Sequence, residues 1–87
     1  MSINDLVAGS ELAGRLLRYP VEEALENSEE VPEIDAFYYC QPVRGGGQIL
    51  IARDGSVLFG ISALSFDEMV ADFKSGMRTD LSEFRVD

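Results

Sequence analysis

Apolar side chains recur at helical spacing towards both ends of this chain and crowd into short, β-branched and aromatic runs in its middle. That change of period predicts the elements. Ile3, Leu6 and Val7 open a helical pattern, with Ser2 or Asn4 placed to cap it. Gly9 and Gly14 interrupt the pattern, each costing about 1 kcal/mol relative to alanine in a helix interior. Ser10 therefore offers a second start, with Leu12, Ala13, Leu16 and Leu17 on its apolar side. A short helix follows at Pro20, whose missing N–H suits a first helical position. Val21, Ala24 and Leu25 share its inner face, while Glu22, Glu23 and Glu26 point away. It should end near Asn27–Ser28, in a loop marked by Pro32.

From Ala36 the pattern is that of strands. AFYYCQPV is short and aromatic, with Phe37, Tyr39, Gln41 and Val43 on one face and Ala36, Tyr38, Cys40 and Pro42 on the other. QILIA and SVLFGIS then flank Asp54-Gly55, a strong hairpin signal because a type I′ turn needs positive φ at both central positions. A two-residue loop pairs Arg53 with Ser56, Ala52 with Val57, Ile51 with Leu58, Leu50 with Phe59 and Ile49 with Gly60. Ile49, Ile51 and Leu58 then share one face, and Leu50, Ala52, Val57, Phe59 and Ile61 the other. Both faces are apolar, although an antiparallel sheet usually keeps one face wet. The hairpin is thus expected to be central, with helices on one side and a second layer, such as another copy of the chain, on the other.

The last helix carries the clearest signals. Ser65 and Glu68 form a capping box, Leu64 and Met69 a hydrophobic staple. Phe66, Met69, Val70 and Phe73 make an i, i+3, i+4, i+7 stripe, and Gly76 stops the helix. In the tail, Thr79 is placed to cap a further turn, with Leu81 or Phe84 docking. The expected fold is a single α+β domain over residues 1–87. It has a three-stranded antiparallel meander (about 36–43, 48–53 and 56–62) packed against N-terminal helices and a C-terminal helix at 66–75.

Charge changes the picture more than size does. Sixteen acidic residues oppose seven basic ones, for a net charge of −9. Such a surface repels nucleic acid and anionic membranes, so neither is an expected direct partner. The acids are also unevenly placed: Glu22, Glu23, Glu26, Glu29, Glu30, Glu33 and Asp35 fall between Arg18 and Arg44, where no basic residue occurs. The single cysteine forms no internal disulfide and fits a reducing compartment. No run approaches the about 20 apolar residues that span a bilayer, and the N-terminus lacks a secretory pattern, so a cytoplasmic protein is expected.

Candidate chemistry is sparse. Arg44, Gly45, Gly46 and Gly47 suggest an anion-binding loop, but no Lys-Ser/Thr and no helix follow, as a phosphate loop requires. A wide connection between strands is the simpler reading. With no histidine in the chain, Cys40 lacks the usual base and fits a small packing residue. The acids lack the central glycine of a calcium loop and an apolar pocket that would shift their pKa values. No cofactor, metal or enzymatic activity is expected. Tyr38 and Tyr39 face opposite sides of their strand; one belongs to the core, and the other is placed either as an interface anchor or to cover an edge of the core.

The leading expectation is a non-enzymatic protein-binding module: an inhibitor, an immunity-type or antitoxin-like partner, or an adaptor. Its interaction residues would be Glu22, Glu23, Glu26, Glu29, Glu30, Glu33, Asp35, Tyr38 and Tyr39, and its partner another protein, basic in charge. One alternative is a homodimer, joined through a sheet face, that binds a small anion at Arg44–Gly47. Another is a nucleic-acid mimic whose carboxylates imitate phosphates.

Overall fold

The computed structural model describes residues 3–41, 46–61 and 63–83. Helices α1 (Leu6–Leu17) and α2 (Val21–Glu26) precede strands β1 (Ser28–Val31), β2 (Ala36–Cys40), β3 (Gln48–Ala52) and β4 (Val57–Gly60). Helix α3 (Phe66–Lys74) follows. The strands form one antiparallel sheet in the order β1-β2-β3-β4.

The sheet therefore has four strands, not the expected three. The additional strand is Ser28–Val31, within the segment expected to be a helix end and a loop. It pairs with β2 from Ser28 opposite Tyr39 to Val31 opposite Ala36, across a turn at Pro32–Ile34. Of its four side chains only Val31 is apolar and buried. A strand held by its neighbour's backbone at a sheet edge needs no alternating pattern of its own, so none appears. The first expected strand extends only to Cys40 among the described residues; Pro42 and Val43 lie outside them.

The hairpin register also differs by one residue. Ile49 faces Phe59, Leu50 faces Leu58 and Ile51 faces Val57. The loop contains three residues, closed by hydrogen bonds from Gly55 N to the Ala52 carbonyl (3.0 Å) and from Ala52 N to the Ser56 carbonyl (2.8 Å). Gly55 alone in this loop takes positive φ, 90°. Asp54 Oδ1 accepts from both the amide and hydroxyl of Ser56, which holds Asp54 in an ordinary turn rather than the left-handed region that a type I′ turn demands. The slip exchanges side chains between faces. Val57 and Phe59 join Ile49 and Ile51, while Leu58 joins Leu50 and Ala52.

Two cores result. Phe37, Tyr39, Ile49, Ile51 and Val57 pack under α1 and α2, against Leu12, Ala13, Leu17, Tyr19 and Ala24. On the opposite face Val31, Ala36, Leu50, Ala52 and Leu58 meet Met69, Val70 and Phe73 of α3. The helices thus lie on both sides of the sheet. The face expected to need a second layer receives one from α3.

Helix α1 runs unbroken through Gly9, with Asp5 as its cap in place of Ser2 or Asn4. Its end turns at Arg18 (φ 58°), where the Tyr19 amide returns to the Gly14 carbonyl at 3.0 Å. Pro20 stands just before α2 rather than within it. Ser65 caps α3: its Oγ accepts from the Glu68 amide at 3.1 Å, which is one half of the expected capping box, and its hydroxyl donates to Glu68 Oε1 at 3.2 Å. Beyond α3, Thr79 bridges to β4: its amide donates to the Val57 carbonyl (2.7 Å), and its hydroxyl accepts from the Phe59 amide (2.9 Å). Phe84 lies outside the described residues. No helix of the described residues is long and apolar enough to cross a membrane.

Candidate functional site: an acidic edge of the sheet

The acidic run is divided among three local structures. Glu22, Glu23 and Glu26 are exposed on α2, whose buried contribution is Ala24. Glu29 and Glu30 are exposed on β1 and, as successive strand residues, point to opposite faces of the sheet. Glu33 and Asp35 belong to the turn into β2. The acids thus form a rim that lies along one sheet edge and on the helix that leads into it. The charge is concentrated there because an edge strand needs little apolar side chain and tolerates charge.

Two of these acids have cationic partners. Glu33 lies 3.5 Å from Lys74 of α3, and Asp35 pairs with Arg53. Both pairs are exposed and add little stability. Arg53 has a wider positioning role: its guanidinium also donates to the Asn4 carbonyl (3.2 Å) and lies 5.2 Å from the centre of the Phe37 ring. Its own carbonyl accepts from Ile3 N at 2.7 Å, so this residue ties the start of the chain to the turn below β1. Asp35 there has φ 51°, a left-handed conformation that aspartate adopts more readily than most residues. Glu22, Glu23, Glu26, Glu29 and Glu30 form no ion pair with another described residue.

A cleft of about 110 Å³ opens beside β1, lined by Glu30, Pro32, Asp35, Ala36, Phe37 and Arg53. At about 30 Å³ for each water it holds a few waters or the tip of one side chain. Pockets for whole small molecules begin near 300 Å³. Among the described residues no three acidic or thiol side chains gather in a way that would hold a metal ion.

Two of the three tyrosines belong to the interior. Tyr39 is 0% exposed and its hydroxyl donates to the Leu6 carbonyl at 2.6 Å, so it presents no surface to a partner. Tyr38 is half-buried, edge-on to Phe66 with ring centres 5.0 Å apart, and donates to Gln48 Oε1 at 2.7 Å. Tyr19 is buried and donates to the Cys40 carbonyl. Burial is the main reason all three phenols are harder to ionise than usual, Tyr19 and Tyr38 being pushed up to about 12. Nearby carboxylates add to this, Glu23 for Tyr19 and Glu29 for Tyr38. Asp54 is shifted the other way, held below the usual range by the Ser56 hydrogen bonds.

Of the glycine loop, Arg44 and Gly45 lie outside the described residues. Gly46 is buried, and Gly47 lies against Phe59 and Leu17 while its carbonyl accepts from Gln41 N. Gln48 carries no functional expectation from the sequence, yet it is a buried polar residue, as is Ser10. Gln48 Nε2 donates to the carbonyls of Ile61 (2.9 Å) and Leu64 (2.8 Å), and its Oε1 accepts from Tyr38. A polar residue on the same strand face as Leu50 and Ala52 was the available signal.

Comparison with protein-family models, with curated proteins and with solved structures finds no match to this chain.

Proposed function

We propose that the protein is a binding module that docks a basic region of another protein on its acidic rim. The supporting observation is the placement of Glu22, Glu23, Glu26, Glu29 and Glu30 together on the surface of α2 and β1, with no ion pair among the described residues to neutralise them. Unneutralised like charges cost the isolated fold self-repulsion, which a basic partner relieves. Such a field accelerates encounter and suppresses acidic competitors, and its effect falls with salt. An inhibitor, immunity-type partner or adaptor would each use it in this way.

The test replaces Glu26, Glu29, Glu30 and Glu33 together by lysine. Affinity chromatography of native cell lysate at low and moderate salt compares the two proteins, with thermal denaturation as the folding control. The expected result is one stoichiometric basic protein retained by the wild type, lost as salt rises, and absent with the folded quadruple variant. Equal retention by both proteins would refute the acidic-rim reading.

A further inference from the structure

We propose that the outer edge of β1 accepts an extended basic segment of the partner as a fifth strand of the sheet. This rests on the protein-binding reading above and supplies its geometry. The Cys40 amide donates to the Asn27 carbonyl (3.2 Å), which fixes the alternation of the β1–β2 ladder. Hydrogen-bonded pairs fall at every second position of an antiparallel ladder. Glu29 and Val31 therefore turn their backbone groups towards β2, and Ser28 and Glu30 turn theirs outward. Among the described residues no backbone group pairs with that outer side. The opposite edge of the sheet differs, since Thr79 already occupies Val57 and Phe59 of β4.

Charge selects the occupant. A second copy pairing β1 with β1 would bring Glu29 and Glu30 against the same carboxylates, and like charges facing across strands are destabilising. A segment with adjacent lysine or arginine residues meets both instead. One basic side chain lies beside Glu30 on the α1 face, and the next lies beside Glu29 on the α3 face. Main-chain bonds to Ser28 and Glu30 supply the register, and the basic pair supplies the preference.

The probe is a capped eight-residue peptide of alternating threonine and valine, with two adjacent lysines at its centre. Two further versions carry N-methyl groups on one or the other alternate set of backbone amides, leaving charge and side chains unchanged. Binding at low salt is followed by NMR titration, together with amide hydrogen exchange of the protein. Saturating unmodified peptide is expected to slow exchange at Ser28 and Glu30 by at least about tenfold, leaving Glu29 and Val31 as they were. One methylated version is expected to bind about tenfold more weakly, the effect of losing two ordinary hydrogen bonds, and the other nearly normally. Equal binding of all three peptides with unchanged exchange at Ser28 and Glu30 would overturn strand addition while leaving the acidic surface in place. Failure of every peptide to bind would also overturn it, and the quadruple-lysine comparison would then decide the broader reading by itself.

Discussion

Replacing Gln48 by leucine is expected to lower the melting temperature by more than about 10 °C, because a loss of 1 kcal/mol moves a domain of this size by roughly 4–8 °C. Gln48 is 6% exposed, and its side chain makes three hydrogen bonds, to Tyr38 and to the carbonyls of Ile61 and Leu64. Leucine is close in size and leaves those groups in place without the amide. A polar group stranded in a buried site costs about 1–3 kcal/mol; these are part-buried and fall at the low end, yet two carbonyls and a hydroxyl together still outweigh the gain from an apolar side chain. Those carbonyls begin and end the connection from β4 to α3, so loosening should concentrate in α3. Thermal denaturation measures the size of the effect, and amide exchange its location. A shift below about 3 °C would show that the carbonyls find other partners and that Gln48 does not hold this connection.

Gly9→Ala is expected to destabilise the fold by about 2 kcal/mol, although alanine is the better helix former by about 1 kcal/mol. A Cβ at this position would overlap the Tyr39 hydroxyl oxygen and stand 2.9 Å from Cζ of the same ring. Tyr39 has nowhere to go, since it is fully buried and bonded to the Leu6 carbonyl. Helix or ring must shift, and the core around Ile49 and Leu12 shifts with it. Denaturant unfolding of Gly9→Ala, Tyr39→Phe and the double variant separates the terms. The glycine substitution should cost at least about 1 kcal/mol less once the hydroxyl is gone. A stabilised Gly9→Ala protein would mean that α1 does not approach the sheet as closely as described.

Gly9 also shows why the sequence is readable only in part. As a local signal it argued for a broken helix; its value lies in contact with a residue thirty positions away. The helix at Phe66–Lys74 was legible to within a residue because its cap, stripe and stop are all local. The hairpin's existence was legible from Asp54-Gly55, but its register depended on which residue took positive φ, and that was settled by the Asp54–Ser56 hydrogen bonds. Strand β1 carried almost no signal, since SEEV has one apolar side chain and is a strand only because β2 lies beside it. The candidate site followed the same division. The charge of Glu22 to Asp35 was plain in the sequence, whereas the separation of Glu29 and Glu30 onto two faces of a sheet edge was not. Tyr39 illustrates the converse, a residue suited by type to an interface that the fold places wholly inside.

The acidic edge strand joins the fold to the proposed function, and amide hydrogen exchange of the free protein tests it most directly. If residues 28–31 form the outer strand in the stated register, Glu29 and Val31 exchange slowly, protected by β2, while Ser28 and Glu30 exchange near the rate of an open chain. Fast exchange at all four would mean that the acidic run is a loop, and slow exchange at all four that its outer side is already covered; either result contradicts the account.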